Sequence, residues 1–180
     1  MICYSVAFLD PSVYWRLTMA RPQFPKPGHD HGACMNRSLE RARTAYRARG
    51  ARLTDLRESV LRELAGSHRA LGAYDIIQQL GAHGRHVAPI SVYRVLESLL
   101  QVGLIHRIES QNAYVACHAA HESARPILFL VCERCGTVAE SSAPELQETL
   151  DRVAGAVQFA LSDTVMEVTG LCEHCAHHGG

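Results

Sequence analysis

The sequence has no apolar run long enough to cross a membrane, and its first residues lack the features of a secretory signal. Residues 1–20 are fairly apolar, but they have no basic start, and Asp10 and Pro11 interrupt the apolar run. The 180 residues, 47% of them hydrophobic, are enough for one or two small domains with modest cores. We therefore expect a cytoplasmic protein that has no membrane partner.

The motifs of two common kinds of zinc enzyme are also missing. The sequence has neither the His-Glu-x-x-His of a metalloprotease nor the His-x-Glu followed by Pro-Cys-x-x-Cys of a zinc deaminase. His121 and Glu122 are adjacent, but their spacing fits neither motif. We therefore expect no enzymatic activity and no small-molecule substrate.

The chain carries no net charge, although this total hides two oppositely charged halves. Residues 37–107 hold 12 arginines and 6 acidic residues, whereas residues 108–180 hold 3 arginines and 10 acidic residues. A basic first half favours binding to a polyanion such as nucleic acid. An arginine-rich solvated surface is the simpler alternative.

Four of the seven cysteines form two Cys-x-x-Cys pairs, Cys132 with Cys135 and Cys172 with Cys175. Two such pairs supply four thiolates, which is the ligand set of a closed tetrahedral zinc site. A disulfide or a redox pair is the alternative, but Cys-x-x-Cys pairs beside many histidines suit reduced, metal-binding thiols better. The spacing therefore predicts a structural zinc site.

Residues 1–36 are predicted to be a disordered tail, because prolines and a glycine cluster between Pro22 and Gly28. Met19 is an alternative start of the chain. Extra zinc sites stay open for a group of residues near the two ends, which are His29, His31, Cys34, His177 and His178.

Residues 37–117 are predicted to form a winged helix-turn-helix. Apolar spacing and capping residues predict four helices, over residues 38–49, 54–65, 73–80 and 91–101. The stretches LIHRIE and YVACH then predict the two strands of a hairpin, the wing. In this arrangement the last helix enters the major groove of double-stranded DNA, while the wing touches the DNA backbone.

The exposed face of the fourth helix carries side chains that suit base contacts. Arg94 can donate to O6 and N7 of guanine, and Tyr93 offers a ring edge and a hydroxyl to a thymine methyl or a phosphate. Ser91 lies on the same outward side. A helix with one tyrosine and one arginine facing outward is common, so periodicity alone leaves a plain solvated face as the alternative.

The rest of the chain is predicted to be a hinge, residues 118–126, and a small α/β domain, residues 127–180, which makes the fold class α+β. Strands are predicted over residues 127–132, 137–141, 157–161 and 164–172, and a helix over residues 142–155. The predicted zinc site would join the first two of these strands to the last strand. It would thereby stabilise a core that is too small to be very stable alone.

Several blocks of the sequence resemble the ferric uptake regulator family, and within it the zinc uptake regulators. They run from about Arg52 to Cys175 in the family's order, and they are RLTDLRESVL, AYDII, SVYRVLESLLQVGLIHRIES, NAYVACH, FLVCERCGTVAE and EVTGLCEHC. The resemblance implies a zinc-responsive repressor whose winged helix binds palindromic operators and whose C-terminal domain forms a homodimer. It also implies that Tyr74, at the start of the third helix, contacts DNA.

The resemblance further implies two zinc ions per subunit, one structural and one regulatory. The structural site would consist of Cys132, Cys135, Cys172 and Cys175, and the regulatory site would include His106, Cys117 and Glu140.

The fourth regulatory ligand is where the sequence departs from the family. The family spacing places this ligand at Arg125, which cannot bind zinc. We expect His121 instead of the other candidate, His118. His118 is adjacent to Cys117, and neighbouring side chains on a strand point to opposite faces.

The predicted regulatory ligands favour zinc. One thiolate, two imidazoles and one carboxylate suit a tetrahedral Zn²⁺ better than the harder, usually octahedral Fe²⁺. The resemblance to the iron-sensing members of the family is weaker here, because they carry a His-His-Asp-His run where this chain has PILF at residues 126–129. A member of the same family that senses iron, nickel or manganese is the first alternative function. A zinc-buffering or redox-switch protein without DNA binding is the second.

Overall fold

The computed structural model describes residues 24, 30–117, 127–142, 144–161 and 164–177, and its fold class is α+β, as predicted. The predicted hinge, residues 118–126, and most of the predicted tail lie outside these residues. Within the described part of the chain, no helix has the length and apolar character needed to cross a bilayer.

The first half begins with four helices around one apolar core, which are α1 (His31–Ala48), α2 (Asp55–Ala65), α3 (Ala73–Ala82) and α4 (Pro89–Gln101). Local signals set their ends. The Thr54 hydroxyl caps α2 by accepting from the N–H of Arg57, and Pro89 stands in the first turn of α4. All four helices contribute buried side chains, among them Tyr46, Leu61, Leu64, Ile76, Leu80, Leu96 and Leu99.

Helix α1 begins earlier than predicted, so residues 31–36 are helical and are not part of a disordered tail. The Asp30 carboxylate caps the helix by accepting from the N–H of Gly32 at 2.8 Å, and Met35 packs against the core. We interpreted His29, His31 and Cys34 as possible metal ligands in a tail, and therefore did not predict this first part of the helix. Phe24, also in the predicted tail, packs against cysteines of the second half.

The wing follows α4 and consists of β1 (Ile105–Ile108) and β2 (Ala113–Ala116), which pair antiparallel. A 3-10 turn over Glu109–Gln111 connects them, and Asn112 closes it at a φ of 47° in the left-handed region, which asparagine tolerates. Leu71 exchanges two backbone hydrogen bonds of 2.8 Å with Tyr114. The wing is therefore fixed to the segment between α2 and α3.

The second half contains β3 (Ile127–Cys132), β4 (Val138–Ser142), α5 (Pro144–Ala156), β5 (Met166–Gly170) and α6 (Glu173–His177). Its strands form a sheet in the order β4-β3-β5, with β3 antiparallel to β4 and parallel to β5. The parallel pairing places Cys132 opposite Gly170. Because parallel strands end at the same edge, the two Cys-x-x-Cys pairs emerge close together.

The strand predicted over residues 157–161 is wrong, because this stretch forms a turn and irregular backbone after α5. The N–H groups of Val157 and Phe159 both donate to the carbonyl of Ala154, and Gln158 adopts a positive φ of 55°. These bonds close the C-terminal end of the helix, so the segment cannot be extended. Helix α6, which was not predicted, accommodates the second Cys-x-x-Cys spacing in one turn.

The wing and the sheet pack directly against one another. The N–H of Val138 donates to the carbonyl of His68 at 2.8 Å, which links β4 to the loop before α3. A buried apolar cluster joins the two halves, and it contains Ile108, Val115, Phe129, Val131 and Val138.

Candidate functional site

The structure brings the four cysteines of the two Cys-x-x-Cys pairs together. The ligand atoms of Cys132, Cys135, Cys172 and Cys175 all lie within 4.8 Å of one another, and the sulfurs of Cys135 and Cys172 are 3.8 Å apart. Gly136, at a φ of 71°, donates its N–H to the carbonyl of Cys132 at 2.9 Å and turns the chain back from the Cys132–Cys135 segment into β4. All of these cysteines except the half-buried Cys135 are buried.

The electrostatics of this cluster suit a bound cation. Burial raises the pKa of the Cys132 thiol, but N–H donors from Cys135, Cys172 and Arg134 outweigh burial and lower the pKa to about 6. Burial and then the neighbouring thiols raise the pKa of Cys175 to about 12. A negative charge on one sulfur therefore disfavours a second negative charge on a neighbouring sulfur, unless a bound cation compensates for both charges. Four converging sulfurs fit a tetrahedral zinc ion.

A second group of possible ligands joins the two halves of the chain. His106, Cys117 and Glu140 place one ligand atom each within 4.8 Å of the others. His106 lies on β1, Cys117 directly follows β2, and Glu140 lies on β4. The N–H of Cys117 donates to the carbonyl of Leu104 at 2.9 Å. His106 is the register partner of Val115, so Cys117 is diagonal to His106 on the same face of the wing.

An aromatic ring fixes the geometry of this second group. Phe129 on β3 is the register partner of Glu140, so the two side chains share one face of the sheet. The rings of His106 and Phe129 pack with their centroids 5.2 Å apart. This packing holds the imidazole beside the carboxylate, and a nitrogen, a sulfur and an oxygen donor fit a zinc ion that takes one more ligand.

The expected fourth ligand, His121, and its alternative, His118, lie outside the described residues. Two of the residues considered for extra zinc sites have other contacts in the structure. The His31 ring lies 5.5 Å from the His68 ring between centroids, and the Arg37 guanidinium donates to the sulfur of Cys34. Neither His31 nor Cys34 belongs to the two ligand groups.

Arg41 on α1 also contacts the second group, and no sequence motif indicates this. Its guanidinium donates to the backbone carbonyl of Cys117 at 2.7 Å and to the Cys117 sulfur at 3.3 Å. Arg41 is next to the buried Ala42, which belongs to the apolar stripe of α1. This position is the one feature of the sequence that indicates an inward-facing Arg41 side chain. The contact ties α1 to the end of the wing.

The residues predicted to contact DNA lie at the surface of the winged helix. Tyr74 is 67% exposed at the start of α3, and Tyr93 is 42% exposed on α4. Arg94 is exposed beside Tyr93, whereas Ser91 is half-buried. The opposite face of α4 is buried in the core, so this outward face is presented rigidly.

The second half leaves eight large apolar side chains exposed, and such side chains typically mark protein–protein contacts where they adjoin one another. These side chains, each between 38% and 72% exposed, are Leu146, Val153, Val157, Phe159, Leu161, Val165, Val168 and Leu171. We call these eight residues the apolar surface of the second half.

Known proteins are similar to this chain over most of its length. The model of the ferric uptake regulator family matches residues 48–169. The zinc uptake regulation protein of Escherichia coli (strain K12) is 35% identical over 137 residues, which cover 76% of this chain and 80% of that protein.

Two solved structures share this fold at a similar level of sequence identity. A zinc uptake regulator complexed with zinc and DNA superposes with a TM-score of 0.74 at 34% identity, covering 79% of this chain and 95% of that one. The structure of holo XcZur gives a TM-score of 0.70 at 34% identity, covering 79% of this chain and 99% of that one. The family match, the identity and the shared fold agree, and the chain belongs to the ferric uptake regulator family.

Proposed function

We propose that this protein is a zinc-responsive transcriptional repressor that binds operators of zinc uptake and homeostasis genes as a homodimer. One observation carries the proposal. His106 and Cys117 at the base of the wing meet Glu140 of the other half within 4.8 Å, so one ion bound there would bridge both halves. The similar regulator that was solved with zinc and DNA supports the same assignment.

The proposed switch follows from where the ligands lie. His106, Cys117 and Glu140, when they bind one ion, hold the wing against the sheet across the predicted hinge at residues 118–126. The two winged helices of a dimer are then held at a fixed separation before they meet DNA. Zinc and DNA must therefore strengthen each other's binding by the same factor.

We assign two zinc ions to each subunit, one in each ligand group. The structural ion would be held by Cys132, Cys135, Cys172 and Cys175, and the regulatory ion by His106, Cys117, Glu140 and His121. The sulfur, nitrogen and oxygen donors of the second set favour zinc over iron, with nickel and manganese as the remaining alternatives within the family.

The same proposal divides the chain into a tail, a winged-helix DNA-binding domain, a hinge and a dimerisation domain. The DNA-binding domain would end at Cys117, and the dimerisation domain would begin at residue 127. The apolar surface of the second half supports dimerisation, because a second copy would cover it. We place the protein in the cytoplasm and assign it no enzymatic activity, since four protein ligands at each proposed zinc site would leave no open position for a catalytic water.

The decisive experiment measures DNA binding by the full-length protein at controlled free zinc. We expect tight binding to palindromic DNA from upstream of zinc transport genes, and loss of this binding when a chelator removes the weaker zinc. Zinc uptake without operator binding would instead identify a buffering protein. DNA binding that responds to manganese or nickel but not to zinc would assign another metal.

Arg94→Ala is expected to weaken operator binding by about 1–3 kcal/mol for each guanine that Arg94 reads, and to relax the sequence preference. The reason is that Arg94 is exposed on the face of α4 opposite the core, where a guanidinium can donate to a base edge. Gel shifts on operator and random DNA measure the effect. Substitution of Tyr74 should weaken binding more evenly across sequences.

Arg152→Ala is the matched control, because Arg152 is an exposed arginine on α5 that donates to Thr149 of the same helix. It should leave both affinities unchanged. Equal losses on operator and random DNA for Arg94→Ala would remove the base-contacting role of Arg94.

A further inference from the structure

A carboxylate on β5 holds the tip of the wing. The side chain of Glu167 accepts from the backbone N–H of Glu109 at 2.6 Å through one oxygen and from the N–H of Ser110 at 3.1 Å through the other. Glu109 and Ser110 begin the 3-10 turn that connects β1 to β2. Both oxygens of one carboxylate are therefore committed to the backbone of the turn.

Glu167 lies on the same row of the sheet as the second ligand group. Phe129 is the register partner of Glu140 on one side and of Glu167 on the other, so all three side chains share one face. The wing lies across this row. His106, on the first strand of the wing, packs on Phe129 near Glu140, whereas the turn at the tip of the wing contacts Glu167.

The environment of Glu167 favours its charged form. Burial raises the pKa of this half-buried carboxyl, but the hydrogen bonds from Ser110 and from the backbone of Glu109 outweigh burial, and the net pKa is lowered. Hydrogen bonds to an ionised acceptor are stronger than neutral ones. The Glu167 carboxylate is therefore charged at neutral pH, the form that accepts both hydrogen bonds most strongly.

We propose that Glu167 is a positioning residue that clamps the tip of the wing to the dimerisation sheet, so that the regulatory ligands on the wing already face Glu140 before zinc binds. The clamp itself follows from the two hydrogen bonds. Its effect on zinc rests on the proposed function.

Beside the apolar cluster, the wing would have two polar attachments to the sheet, the clamp and the metal. Glu167 holds the tip, and the metal would hold the base of the wing, where His106 and Cys117 lie. Because the tip is already held, fewer conformations have to be lost when the ion binds, which raises the affinity for the regulatory zinc. A wing without the clamp would lose its polar attachment at the tip, and only the apolar cluster and the metal would hold it against the sheet.

Hydrogen exchange in the full-length dimer tests the clamp directly, with the four-cysteine site loaded and the regulatory site empty. Glu167→Ala should make the Glu109 and Ser110 amides exchange roughly tenfold faster or more, because both lose a charged acceptor. Amides of α2 should not change. In Glu167→Gln, which keeps the shape but only one acceptor oxygen, one of the two amides should remain protected. Unchanged exchange at both amides in both variants overturns the clamp.

Competition with a zinc chelator tests the effect on the metal. Glu167→Ala and Glu167→Gln should weaken the second zinc by about fivefold or more, a typical strength of coupling between sites. The control is Glu148→Gln, an exposed glutamate on α5, which should change neither the exchange nor the zinc affinity. Faster exchange with unchanged zinc affinity overturns the coupling. A wild-type dimer that takes up no second zinc contradicts the proposed function instead, and the exchange data still decide the clamp.

Discussion

Cys132→Ser is expected to unfold the second half of the protein and to abolish the dimer. Structural zinc sites contribute on the order of 10 kcal/mol to folding, and this half has only a small buried core of its own. Cys132 is itself buried at the end of β3, and its sulfur accepts from the N–H of Cys172 at 3.4 Å. Loss of this ligand therefore removes a link between the end of β3 and the segment that follows β5.

Light scattering and zinc analysis test this prediction. The wild-type protein should have twice the 19.8 kDa mass of the chain, and the variant should be monomeric or aggregated and should lose its tightly bound zinc. Cys34→Ser is the matched control, because Cys34 lies on α1 outside both ligand groups, and this variant should stay dimeric. A folded, dimeric Cys132→Ser protein would show that the cysteine cluster is not a structural site.

The elements that the sequence predicted well are those with local end signals. Thr54 and Gly66 bound α2, and Pro89 starts α4, so capping and apolar spacing located these helices to within a few residues. The stretch at residues 157–161 misled us because VQFAL has strand-forming side chains. Its backbone is instead set by the end of α5 and by the positive φ of Gln158, a residue that gives no such signal in sequence.

The candidate sites likewise differ in how well the sequence predicted them, according to whether their geometry is local or long-range. The spacing of the four cysteines predicted their cluster, because a Cys-x-x-Cys pair carries its geometry within four residues. The contact of Arg41 with Cys117 joins residues that are 76 positions apart. The contacts of Glu167 with Glu109 and Ser110 join residues that are 58 and 57 positions apart. Such contacts depend on how the two halves pack. One signal was present for Glu167, since it is the lone charged residue of β5.

Cys117→Ser and His121→Ala are each expected to keep the structural zinc, yet to lose zinc-responsive DNA binding. Each removes one donor from the ion that would bridge the wing and the sheet. Loss of a direct ligand should weaken the site by more than the roughly 10-fold to 100-fold cost of changing a residue that only supports a ligand. His118→Ala is the matched control, since it removes the same imidazole from the same segment, and it should change little.

The choice between the two histidines depends on where the chain can turn after Cys117. Cys117 shares one face of the wing with His106, and its sulfur lies near Glu140. The residue directly after a ligand on an extended chain points away from the ion, whereas a residue four positions later can fold back over it. Chelator competition on the three variants decides the assignment. If His118→Ala loses the second zinc while His121→Ala retains it, the fourth ligand is His118, and the bridging of wing and sheet by one ion still holds.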